Sequence, residues 1–99
     1  MNVDKTLIGE LTSFLKRYVG IEKVVLFGSR ARGDNTERSD YDIAIYGNVS
    51  SSEQGEIRYY CSEVLRTLHK IDLIFVSEST YAKLKDNIEK EGVVLYGKA

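Results

Sequence analysis

The stretch VLFGSRARGDNTERSDYDIAIY, Val25 to Tyr46, carries the reading of this chain. A β-branched apolar run stops at Gly28, a polar stretch follows, and an alternating run begins at Tyr41 with an acid on each side, Asp40 and Asp42. Side chains repeat every two residues along a strand, so the two carboxylates share one face. An uncompensated charge at the buried end of a strand is costly. The pair therefore asks for a cation.

Working outward, KVVLF (Lys23–Phe27) reads as a central strand ending at Gly28. YDIAIY sets Tyr41, Ile43 and Ile45 on one face and Asp42, Ala44 and Tyr46 on the other. IDLIFV (Ile71–Val76) is a third strand, with Asp72, Ile74 and Val76 on one face, and VVLY (Val93–Tyr96) a short last one. Leu7, Ile8, Leu11, Phe14, Leu15 and Tyr18 follow helical spacing, with Asp4 or Asn2 as the cap and Gly20 as the stop. Ser50 and Glu53 have the spacing of a capping box before a stripe of Ile57, Cys61, Val64, Leu65 and Leu68 that runs to about Lys70. Ser77 or Ser79 can cap a final helix that turns Tyr81, Leu84 and Ile88 inward and ends at Gly92. The order α-β-turn-β-α-β-α-β predicts an α/β (α+β) fold, a mixed sheet of about four strands with helices packed on it. The link between the first two strands has room for a turn or two of helix, not a full crossover.

The chain has 99 residues, no proline and no linker-like run, which fits a single domain over residues 1–99. At 42% apolar residues it can build a core, though a chain this short buries only roughly 60–68% of its unfolded surface. The net charge of −1 argues against direct nucleic-acid binding but leaves room for a nucleotide, which needs only a local positive pocket. One cysteine excludes an internal disulfide. The opening MNVDKTLIGE does not read as a signal peptide, and no run nears the ~18 apolar residues of a membrane span. A reducing cytoplasm, with no membrane contact, is the expectation.

Asp72 holds the second position of its strand. If that strand neighbours the one carrying Asp42, three carboxylates converge at one end of the sheet. Their mutual repulsion raises their pKa values unless a cation intervenes. Oxygen-only ligands of this kind suit Mg²⁺, held by a few carboxylates and substrate phosphates. Gly28 and Ser29 stand where backbone can approach an anion closely, with Arg30 and Arg32 adding charge. A phosphate cradle beside a carboxylate pair is what phosphoryl or nucleotidyl transfer needs.

GSRARGDNTERSDYDIAI resembles the Gly-Ser and Asp-x-Asp signature of the DNA polymerase beta-like nucleotidyltransferases, and most closely their minimal branch, the MNT domains of bacteria and archaea. The match takes in Gly28, Ser29, Arg32, Gly33, Asp34, Ser39, Asp40 and Asp42, with Asp72 as the family's third acid. IEKEGVVLYGK looks like the closing helix and strand of that branch. The resemblance implies the polymerase beta-like fold and two Mg²⁺ ions between the acids and the triphosphate of ATP or another NTP. Asp40 and Asp42 would bind both ions. Asp72 would bind the catalytic one and help deprotonate the attacking hydroxyl, while Gly28 and Ser29, with Arg32, hold the triphosphate. It further implies a small helical HEPN-type toxin as partner, with AMP transferred to one of its tyrosines, so that the MNT protein acts as antitoxin.

Larger enzymes of this class hold their acceptor on an additional domain, and here the elements use up the sequence, so another chain is expected to supply the acceptor. Two other readings stand beside this one: a non-catalytic neutralising or regulatory subunit, and nucleotide transfer to a small molecule such as an aminoglycoside. Arg30, Arg32 and Arg38 also read as solvated loop charges, and Asp34–Arg38 as solvated filler that sets the distance between cradle and acids. Arg32-Gly33-Asp34, an adhesion tripeptide, reads as chance in a chain with no export signal. Cys61 and Tyr41 belong to the core, His69 to a helix end, and one of Tyr59 and Tyr60 must point away from the core.

Overall fold

The computed structural model describes residues 3–97. Helix α1 (Lys5–Leu15) starts where the Asp4 carboxylate accepts hydrogen bonds from the Thr6 and Leu7 N–H groups at 2.9 and 3.2 Å. That satisfies donors with no partner inside the helix. The alternative cap, Asn2, lies outside the described residues. α1 stops at Leu15, earlier than the expected stop at Gly20, through tighter bonds from Arg17 to Phe14 and Tyr18 to Leu15. Gly20 serves the sheet instead. The Asn48 carbonyl, opposite it in the hairpin, lies where a Cβ would be, and the Asn48 N–H donates to the Gly20 carbonyl at 2.9 Å.

Strands β1 (Ile21–Phe27), β2 (Tyr41–Gly47), β3 (Ile71–Phe75) and β4 (Val93–Gly97) form one sheet in the order β3-β2-β1-β4. β1 is central and runs antiparallel to β2 and β4, whereas β2 and β3 are parallel. The mixed four-stranded sheet with packed helices is the expected α+β arrangement. Its central strand begins two residues before the predicted Lys23, because Ile21 still pairs with Gly47 across a bulge.

One sheet face, with Val24, Leu26, Tyr41, Ile43 and Ile45, packs on Leu7, Leu11 and Leu15 of α1 and Ile57 of α3 (Ser51–Tyr59). On the other face Val25 and Ala44 meet Ile88 of α4 (Ala82–Glu91). The strand alternation read from the sequence thus divides two layers of helix.

α3 opens on the capping box: the Ser50 hydroxyl accepts from the Glu53 N–H, and the Glu53 carboxylate accepts from the Ser50 N–H. The helix does not continue regularly to Lys70. It widens into a π turn (Tyr60–Val64), with the Leu65 N–H reaching the Tyr60 carbonyl at 2.8 Å, and Leu65 then becomes extended. Ile57, Cys61 and Leu65 stay buried, but Val64 is 53% exposed and Leu68 fully exposed, so these two members of the predicted stripe leave the core.

Neither Ser77 nor Ser79 caps α4. Their hydroxyls bond each other at 2.9 Å, the Ser77 N–H donates to Thr80 Oγ1, and the helix starts after Tyr81 with no side-chain cap. Tyr81, expected inside, is exposed, whereas Ile88 is buried and Gly92 ends the helix as expected. Tyr60 stacks flat on Phe14 with centroids 3.7 Å apart, and Tyr59 points to solvent. Among the described residues no helix is long and apolar enough to cross a membrane.

Candidate active site

The fold brings the chemistry-bearing residues to one end of the sheet, where β1 finishes and β2 and β3 begin. Gly28 closes β1 and starts a single helical turn, α2 (Ser29–Arg32). Its φ of 75° lies in the region that glycine adopts without strain. Space matters as much, because a Cβ at Gly28 would overlap the Asp42 carboxylate. The phosphate-cradle candidate and the acid candidate are therefore in contact.

Asp42 pairs with Phe27 across β1 and with Asp72 across the parallel β2–β3 ladder. Burial first, then Asp72, then Asp40, push the Asp42 carboxyl above its ordinary value, while Arg32 and Lys70 pull it down. The Asp72 and Asp40 contributions, second to burial, have the sign expected of converging carboxylates. Asp72 pairs with Lys70 Nζ at 3.3 Å on a half-exposed surface. Asp40 immediately precedes β2, and a cleft of about 720 Å³ opens beside it, lined in part by Arg30, Arg38, His69 and Lys70. A second cleft of about 570 Å³ shares Leu68, His69 and Lys70 with the first and reaches Asp72. Gly28, Ser29 and Asp42 line neither cleft.

Among the described residues no three His, Cys, Asp or Glu side chains are close enough to hold an ion by themselves. The acids form an open set instead. The donor chemistry, the raised Asp42 carboxyl and the tight Gly28 contact fit a hard cation whose remaining ligands are waters and substrate phosphate oxygens.

Comparison with known proteins gives the family. The family model described as "Polymerase beta, Nucleotidyltransferase" matches residues 9–99. The chain belongs to the polymerase beta nucleotidyltransferase family. It is 36% identical to "Putative protein adenylyltransferase MJ0604" of Methanocaldococcus jannaschii, an alignment covering 97% of this chain and 100% of that protein. The crystal structure of a toxin-antitoxin with AMP-PNP matches with a TM-score of 0.72 at 21% identity, over 97% of this chain and 75% of that one. A complex of tri-AMPylated Shewanella oneidensis HEPN toxin with MNT antitoxin matches with a TM-score of 0.70 at 18% identity, over 95% and 72%. At those identities the two structures share the nucleotidyltransferase fold with this chain.

Within this family frame, the three arginines of the polar stretch part company. Arg32, a candidate phosphate contact, is held by Asp34 at 3.1 Å and by Glu91 of α4 at 2.7 Å. Arg30 is not a solvated loop charge: it is 5% exposed, with its guanidinium 4.1 Å above the Tyr41 ring. Arg32 and Arg38 keep the expected exposed places, Arg32 with its two acid partners. The loop after α2 is more built than filler, since the Thr36 N–H donates to Ser39 Oγ at 2.9 Å and Arg30 holds the Glu37 carbonyl. Tyr41 is a core residue as expected, and its hydroxyl also accepts from the Asp4 N–H at 3.0 Å. His69 lies beyond the π turn rather than at a helix end, edge-on to Tyr41 at 5.5 Å. Sequence reasoning passed over Lys70 and Glu91. Lys70 was findable, because residues two apart in an extended segment share a face and it stands two before Asp72. Glu91 was not, since only tertiary packing sets the end of α4 beside α2.

Proposed function

We propose that this nucleotidyltransferase, acting as one minimal domain in the cytoplasm, moves AMP from ATP to a tyrosine hydroxyl of a HEPN-type partner and so acts as its antitoxin. The observation that carries the reading is the register that sets Asp42 beside Asp72 with Gly28 pressed against its carboxylate. The protein acceptor is supported by the protein adenylyltransferase name of the M. jannaschii relative, and the toxin partner by the fold shared with the MNT antitoxin complex.

Asp40, Asp42 and Asp72 are the residues that would hold two Mg²⁺ ions. When bound, those ions neutralise charge on the triphosphate and on the entering and leaving oxygens. Gly28 lets backbone approach the triphosphate, and Ser29 adds its hydroxyl and the first N–H of α2. Arg32 reaches the same phosphates once Glu91 releases it. The Asp72 carboxylate accepts the proton of the attacking hydroxyl. The acceptor oxygen bonds to the α-phosphorus, the bond to the β-phosphate bridge breaks, and pyrophosphate departs. The protein's share of catalysis is positioning and charge.

Incubation with α-labelled ATP, Mg²⁺ and a HEPN-type protein tests this. Label on a partner tyrosine that disappears in Asp42→Asn supports the reading, and label that survives in Asp42→Asn refutes the acid assignment. One further reading has its own support, in that Lys70 occupies Asp72 and Glu91 occupies Arg32. Both contacts suit a subunit that neutralises by binding alone. A tight complex without label in any metal would establish it, and label on an aminoglycoside rather than on protein would move the acceptor to a small molecule.

A further inference from the structure

Arg30, expected to add charge beside Gly28 and Ser29, is instead the one charged residue in the buried part of the structure among the described residues. Its Nε donates to the Ser39 carbonyl at 3.0 Å and its Nη2 to the Glu37 carbonyl at 3.2 Å. The Ser39 carbonyl is part of the peptide that leads into Asp40. The guanidinium face lies on Tyr41, the residue between the two acids. Nη2 also stands 3.4 Å from His69 Nδ1, which makes that nitrogen the acceptor, because a guanidinium can only donate. His69 in turn packs on Tyr41, whose N–H donates to the Lys70 carbonyl at 2.9 Å, two residues before Asp72. One stack, Arg30–Tyr41–His69, thus joins the turn after the cradle, the start of β2 and the approach to β3.

We infer that Arg30 is a positioning residue that fixes Asp40 from behind the site, setting its carboxylate against Asp42 and Asp72. The inference rests on Asp40 being a metal ligand, as proposed above. Burying a guanidinium is costly unless its donors are used, and here they are used on the backbone of the segment that must be held. The planar fork suits two carbonyls at once, and a lysine ammonium cannot match that geometry while stacked on a ring. Partners that orient metal ligands typically change metal affinity 10–100-fold when removed.

The test follows binding of a fluorescent non-hydrolysable ATP analogue during Mg²⁺ titration, with a thermal melt for every variant. Arg30→Met is expected to raise the Mg²⁺ midpoint roughly 10-fold or more, with the weak binding in EDTA unchanged. Arg30→Lys, the variant to rely on should Arg30→Met not fold, is expected to move the midpoint in the same direction by a smaller factor. Leu11→Ala, a core truncation that removes none of the Arg30 contacts named above, is expected to lower the melting temperature with no change in midpoint. If the Arg30 variants melt lower but keep the wild-type midpoint, as Leu11→Ala does, Arg30 is structural only and the inference is overturned. If Asp42→Asn also leaves the midpoint unmoved, the metal reading itself fails. A midpoint that moves in Asp42→Asn and not in the Arg30 variants overturns this inference alone.

Discussion

Replacing Asp42 with asparagine is expected to remove metal-dependent activity and to stabilise the metal-free protein. Asp42 is half-buried and stands directly beside Asp72 in the parallel ladder, with Asp40 two residues away. Cross-strand pairs are worth roughly 0.2–1 kcal/mol, and like charges carry that with a destabilising sign. Adding part of the burial penalty on the charged carboxylate gives a gain of about 1 kcal/mol for Asp42→Asn, and solvent at the open edge of the site keeps it from being larger. For a domain of this size that is a rise of about 4–8 °C in melting temperature. The pH dependence has a definite sign. Because burial, Asp72 and Asp40 raise the folded-state pKa, the folded chain keeps this proton to higher pH than the unfolded chain. Wild-type stability therefore falls as pH rises from the ordinary carboxylate range through the folded value, and the whole deficit is present above it. The gain of the variant should be near zero in acid and largest at neutral pH. Mg²⁺ with ATP should close the gap by stabilising the wild type preferentially. Thermal melts across pH, in EDTA and in Mg²⁺ with ATP, read all of this. A variant that melts with or below the wild type at neutral pH in EDTA, or whose advantage persists undiminished in acid, would refute the account of converging, uncompensated acids.

Gly28→Ala should lower stability by about 1–2 kcal/mol from its positive φ alone, and displace the Asp42 carboxylate besides; label transfer lost together with a lower melt is the expected result. Glu91→Gln weakens the Arg32–Glu91 ion pair, which is solvent-exposed, so the melting temperature should barely move, while affinity for ATP rises if Arg32 reaches phosphate. Unchanged or weaker ATP binding in that variant would remove Arg32 from the site. Burial pushes the Cys61 thiol up to about 11, so alkylation at neutral pH should be slow in the folded protein and fast in denaturant. Rapid labelling of the native chain would show that the π turn opens readily.

Much of the molecule is local and therefore readable. The period-two pattern of Tyr41–Tyr46 decides which face each residue takes, and the sheet obeys it on both sides. The Asp4 cap and the Ser50–Glu53 box act over three residues or fewer, so they appear in the sequence as plainly as in the structure. Gly28, Ser29 and the Asp40–Asp42 pair are legible for the same reason: their spacing is short and their chemistry specific.

What failed to read was decided at a distance. The stripe from Ile57 to Leu68 has helical spacing throughout, but the chain must leave the helix to enter β3, and the π turn that lets it do so exposes Val64 and Leu68. Tyr81 lost its place inside because α4 begins only after it. Arg30, Arg32 and Arg38 are alike in a sequence, three cations in one polar stretch. Only the packed structure separates the buried Arg30 on Tyr41 from Arg32 tied to Glu91. Asp72 was a conditional member of the site until the β2–β3 register placed it beside Asp42. The sequence by itself determined the elements, their faces and the acid pair, because those follow from neighbours along the chain. The meeting of Asp42, Asp72 and Gly28, and the burial of Arg30 behind them, came from tertiary structure, because strand order and register are chosen by the burial of the whole core.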